Sequence, residues 1–254
     1  MSKLHQIIED IIPPQNSTLI ELAGTQNSPA VEAYKNPENR HFLDVQKWLG
    51  LASEKYEISA SIRDYVIAPV IILPTDIPNR NSVAFPYEEL MKFNVSQGRP
   101  NFKTWTGKPT FMEHANSDYS KAKGIVFDTY MRPLEHAEGN IYKLIALCGF
   151  DRTKDTELAS QILRGKRKSY SMGAFISQYE CSICGDRSRP GKMNTECGHV
   201  IRGKPEIFTI SPSGAKVPSY LIARQEITGF EVSSVGVPAW SSATNSNIFD
   251  MSAY

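Results

Sequence analysis

A serine hydroxyl attacks a carbonyl only when a neighbouring base takes its proton, and that base works best when a third group orients it and balances its charge. Three segments supply the residue types: Phe111-Met112-Glu113-His114, Lys168-Ser169-Tyr170-Ser171-Met172-Gly173-Ala174-Phe175, and Gly229-Phe230-Glu231-Val232-Ser233-Ser234-Val235-Gly236-Val237-Pro238-Ala239. His114 closes a short apolar run and precedes the polar run Asn116-Ser117-Asp118, which predicts an imidazole at a strand end within reach of solvent. Gly173, two residues past Ser171, leaves room for close approach of a substrate backbone. Glu231 lies in an otherwise apolar strand, where an unpaired carboxylate is costly and an imidazole partner would remove the cost. Taken singly, a His at a strand end, a Ser-x-Gly and a Glu in a strand are all common and say little.

A second cluster suggests metal chemistry. Cys181 and Cys184 form a Cys-x2-Cys knuckle, and after twelve intervening residues comes Cys197-Gly198-His199. Three thiols and one imidazole make the four N/S ligands of a closed tetrahedral zinc site. The segment around them is nearly devoid of apolar residues, so a structural zinc would replace a missing core. Asp186 is a reserve fourth ligand, and ordinary reduced cysteines are the plain alternative. Cys148, within Leu144-Ile145-Ala146-Leu147-Cys148, reads as a buried small hydrophobe. A zinc deaminase is excluded. That chemistry needs His-x-Glu and a Pro before the first Cys, whereas this chain has His114-Ala115-Asn116 and Glu180-Cys181.

Between these segments, β-branched runs bounded by turn residues predict strands over 65–73, 110–112, 124–131 and 141–150. The period then changes: Leu158, Ala159, Ile162 and Leu163 share a helical face, with Thr153 or Asp155 to open the helix and Gly165 to end it. Strand character resumes over 168–179 and 220–237, and the polar stretch 180–219 between them reads as an insertion. Leu4, Ile7, Ile8, Ile11 and Ile12 fall at helical spacing before Pro13-Pro14. The predicted organisation is an N-terminal helical arm over 1–60 and a main domain over 61–254 with a zinc-binding segment inserted at 180–202.

The order and context of the three catalytic candidates resemble the prohead (procapsid maturation) proteases of tailed bacteriophages, relatives of the herpesvirus assemblins. The matching residues are His114 at the end of its strand, Ser171 after the Gly165-terminated helix, and Glu231 in Glu231-Val232-Ser233-Ser234-Val235-Gly236-Val237-Pro238-Ala239. The likeness runs from about Gly107 to Ala239, with an insertion after the serine strand that lengthens the separation between Ser171 and Glu231. It implies an α+β fold with a mainly antiparallel, β-barrel-like core and flanking helices, and a serine endopeptidase with His114 as base, Ser171 as nucleophile and Glu231 as third member. His199 competes with Glu231 for that third place, as do Asp118, Asp128 and Asp151. The implied substrates are phage scaffold, core and major capsid proteins, cut in the host bacterial cytoplasm inside the assembling prohead. Self-cleavage is implied too, with Leu19-Ile20-Glu21 as a candidate site.

Bulk properties set bounds on this reading. Among 254 residues, 28 Lys and Arg face 27 Asp and Glu, a formal charge of +1, which argues against a whole-chain polybasic binder of nucleic acid or membrane. The longest apolar run, 66–73, is far shorter than the ~20 residues that span a bilayer, and Pro69 interrupts it. The first ten residues carry acidic groups instead of a signal-peptide core, which predicts a cytosolic protein with reduced thiols. Two other classes fit the same residues: an inactive protease-fold capsid-core or scaffold protein, and a zinc-ribbon binding module. The second is disfavoured because Arg187, Arg189, Lys192 and Arg202 have only Tyr179 nearby for base stacking. A homo-oligomer remains open.

Overall fold

The computed structural model describes residues 45–134, 141–200, 206–210, 214–245 and 248–253. The helical spacing at Leu4–Ile12 and the candidate cleavage site at Glu21 lie outside the described residues. What is described is α+β, mostly strand, with one sheet curled into a half-barrel. Its order is β12 (Phe249–Asp250), β1 (Tyr65–Pro74), β7 (Tyr142–Asp151), β6 (Gly124–Pro133), β5 (Pro109–Met112), β11 (Leu221–Ser234) and β2 (Val83–Ala84), with β8 (Tyr170–Cys181) also paired to β11. Two hairpins stand apart, β3 (Phe93–Asn94) with β4 (Arg99–Pro100) and β9 (Ile207–Ile210) with β10 (Ala215–Pro218).

The sheet buries both faces. From β1, Val66, Ala68, Val70 and Ile72 enter the larger cluster, while Tyr65 and Ile67 enter a second cluster on the opposite face. That two-sided burial is why the strand reads as an unbroken apolar run in place of an alternating one. Helix α1 (Val45–Tyr56) places Leu49 and Tyr56 in the second cluster, so this part of the expected arm packs on the same sheet as the main domain. Helix α3 (Thr156–Leu163) packs Leu158, Ala159 and Ile162 into the first cluster. Asp155 caps it, its carboxylate accepting the Leu158 N–H at 2.9 Å, and Gly165 ends it at φ +67°, a backbone state that costs glycine little.

The pairing is mainly antiparallel, as expected, with two short exceptions: β11 runs parallel to β5 at Val232–Ser234 and parallel to β2 at Leu221–Ile222. Between those two short contacts its edge is closed by side chains. The Asn101 amide donates to the Gln225 carbonyl at 2.8 Å and accepts the Ile227 N–H at 3.0 Å, and the Thr104 hydroxyl accepts the Gly229 N–H at 2.8 Å. Asn101 and Thr104 are buried, so each replaces a ladder bond that water cannot supply. Helix α2 (Tyr87–Met91) lies beside them, and Glu89 accepts the Gln225 N–H.

Candidate active site

His114 follows β5 directly. The parallel pairing of β5 with β11 sets Met112 beside Ser234, and the Glu113 N–H continues the ladder to the Ser234 carbonyl at 3.0 Å. The chain then turns sharply through two consecutive non-glycine residues in the left-handed region, Glu113 at φ 49° and His114 at φ 57°. Such a pair costs on the order of 1–3 kcal/mol per residue and persists only where surrounding bonds over-determine it. Those bonds are present: Arg167 donates to Glu113 at 3.0 Å and to the Ser234 carbonyl and hydroxyl at 3.2 Å, and Glu113 also accepts the Gly236 N–H.

The turn aims His114 at β11. Its Nδ1 lies 2.8 Å from Oε1 of Glu231, whose carboxylate is fully buried, while the imidazole is half-exposed. The other oxygen, Oε2, accepts the hydroxyl of Ser233 at 2.5 Å. An ionised carboxylate has no proton to give, so Nδ1 carries the hydrogen and the neutral ring keeps its lone pair on Nε2. The hydrogen bond to Glu231 raises the His114 pKa, burial opposes it, and the charges of Glu231 and Glu113 add to the rise.

A bulge in β11 makes this reach possible. The register with β8 shifts between Gly229 and Glu231, so that Glu231 faces Gly173 and Ser233 faces Ser171. Residues directly opposite in an antiparallel ladder share a face at a Cβ separation of about 5 Å, so Ser171 stands on the face that carries Ser233 and Glu231. Ser171 is buried to 6% exposure, and no hydrogen bond joins it to His114 in this arrangement. Gly173 has a reason beyond the expected substrate approach. A Cβ there would lie 2.8 Å from Oε1 of Glu231 and 2.3 Å from the Phe230 ring.

The competing third members are occupied elsewhere. Asp118 bonds Ser120, Asp128 pairs with Lys103, and Asp151 accepts from Ser59 and Thr153. His199 lies with the cysteines, its Nδ1 3.3 Å from Sγ of Cys184 and 3.8 Å from Sγ of Cys181. Sequence reasoning assigned no role to Ser233, Glu113 or Arg167. Only the i, i+2 spacing of Glu231 and Ser233 on one strand face signalled the first.

The ligand atoms of Cys181, Cys184, Cys197 and His199 all lie within 4.8 Å of one another and could hold a metal ion. Metal–ligand bonds of about 2.0–2.3 Å put tetrahedral ligands roughly 3.5–3.8 Å apart, so this set needs only a small contraction. Backbone donors already face the sulfurs, the Ile183 N–H reaching Cys181 at 3.4 Å. Asp186 is not within the ligand set. Its Oδ2 accepts the N–H groups of Glu196 and Cys197 at 3.0 Å, which ties the two halves of the knuckle together, so its reserve role as a ligand is replaced by a supporting one.

No protein-family model, curated protein or solved structure matches the chain. No helix among the described residues is long and apolar enough to cross a membrane.

Proposed function

We propose that this chain is a serine endopeptidase of the prohead-protease type, with the half-barrel corresponding to an assemblin-like core. The observation that carries the reading is the 2.8 Å bond between His114 Nδ1 and the buried Glu231, on the sheet face where Ser171 stands opposite Ser233. A buried carboxylate bound to a half-exposed imidazole is an expensive arrangement for stability alone, and it leaves Nε2 as a base beside a serine strand.

In the proposed reaction the Ser171 hydroxyl attacks the scissile carbonyl as His114 Nε2 takes its proton. The imidazolium is held by Glu231 and then gives that proton to the departing amine. Water repeats the sequence on the acyl-enzyme, with His114 again the base, and frees Ser171. The absence of a Ser171–His114 hydrogen bond fits a resting enzyme whose contact closes when substrate binds. The substrates under this reading are extended segments of scaffold and capsid proteins, and of the chain itself, cut within an assembling phage shell. Zinc is the metal proposed for the Cys3His site, because a closed set of three sulfurs and one imidazole suits it, and its part is structural. It would hold the insertion against the end of β8 and the start of β11, where Cys181 pairs with Leu221.

The test is proteolysis of the purified full chain, read by intact-mass spectrometry beside Ser171→Ala. New termini in the wild-type protein alone support the reading. Identical termini and intact added scaffold substrate in both proteins reject it.

A further inference from the structure

Away from the catalytic face, three cations converge on one cavity of about 310 Å³. Lys55 comes from the last turn of α1, Arg99 from β4, and Lys108 from the residue before β5. Neutral hydrogen-bonding groups, Gln97 and Thr106, share the lining, and no aspartate or glutamate does. The helix neighbours Glu54 and Glu57 are exposed and do not line it. The closest acid by bonding is Asp128, which reaches Thr106 at 3.3 Å but already holds Lys103 at 2.7 Å.

Several cations elsewhere are held by carboxylates. Lys92, Lys103, Lys123, Arg152, Arg167 and Arg187 each sit against a carboxylate. None of the cavity's three pairs with a carboxylate among the described residues; the Lys55 ammonium lies over the Tyr56 and Tyr119 rings at 5.4 and 5.5 Å, and Arg99 donates to the Gln97 carbonyl at 3.4 Å, leaving the positive charge of all three without a counter-charge. Burial, the larger cause, and repulsion from Arg99 and Lys55 depress the Lys108 pKa. A folded protein carries that repulsion only at a cost, which a bound anion removes.

We propose that this cavity binds a compact oxyanion of at least two negative charges, of the phosphate or pyrophosphate class. The planar fork of Arg99, the two ammonium groups and the neutral donors match phosphate oxygens in number and kind. The volume is at the small end of ligand pockets, and the cations surround one space, so a small anion fits better than a nucleic-acid backbone, which needs a stripe of charge along several phosphates. The site stands independently of the peptidase reading.

The experiment is titration calorimetry of the full chain with pyrophosphate, and separately with orthophosphate, at fixed ionic strength, with thermal melting alongside. One site per chain is expected, with a melting temperature raised by pyrophosphate and unmoved by sodium chloride of equal ionic strength. Arg99→Gln and Lys108→Gln should each weaken binding about tenfold. Lys55→Gln, on an exposed helix end where folding is not at stake, should weaken it in the same direction. Absence of binding, wild-type affinity in all three variants, or a short DNA duplex that binds at the cavity and is not displaced by pyrophosphate would each overturn the proposal.

Discussion

At the scale of single residues, the bond between the His114 imidazole and the buried Glu231 carboxylate is the contact on which the proposed chemistry depends. Glu231 was conspicuous as a lone carboxylate in an apolar strand, and His114 as the end of a short one, because burial cost and strand termini leave marks in sequence. Ser233 and the steric need for Gly173 depend on a bulge that no local pattern announces. The His114 pKa is raised by Glu231, so the charged ring is favoured in the fold. That contribution is complete below the ordinary value of 6.5 and is lost as pH rises through the raised one. The proposed mechanism needs the neutral imidazole, so activity should climb over that upper interval. Glu231→Gln should move the acidic limb of the pH profile to lower pH while reducing kcat, and nuclear magnetic resonance of the imidazole should show the same fall in pKa. An unmoved titration would mean that Glu231 does not hold His114 in solution. Gly173→Ala puts a Cβ against Glu231 and Phe230, an overpacking expected to cost about 1–3 kcal/mol and to perturb the same imidazole signal.

At the scale of elements, the long strands and the capped helix were readable because each is long enough to show a period or a two-sided apolar run. The two-residue strands β2, β3, β4 and β12 were not, since two residues carry no period and their pairing is decided by distant partners. The side chains closing the β11 edge belong to this class of hidden feature. Asn101→Ala would strip partners from the backbone at Glu89, Gln225 and Ile227, a loss of about 3 kcal/mol or more that a denaturant midpoint would register. The bonds from Arg167 to Glu113 and Ser234 act on the strained turn. Both partners are partly exposed, so Arg167→Gln should change stability by about 1 kcal/mol or less yet reduce kcat with KM little altered. A KM effect alone would point instead to substrate contact.

At the scale of the whole molecule, the sheet order makes neighbours of three distant segments, so that His114 after β5 bonds Glu231 of β11 while Ser171 of β8 stands opposite Ser233. The cysteine-rich knuckle sits where β8 leaves that sheet and β11 enters it. Removing metal with a chelator should therefore raise hydrogen exchange over 181–199 and leave the β1–β7 pairing protected, and metal analysis should return about one zinc per chain. Uniform protection in both forms would show that the insertion holds itself. The central claim concerns the hydroxyl, and it is tested most directly by a fluorophosphonate probe with the modified residue mapped by peptide mass spectrometry. Covalent labelling at Ser171, lost in His114→Ala and diminished in Glu231→Gln, is the result predicted. Labelling at another serine, or at Ser171 to the same extent without the imidazole, would contradict it.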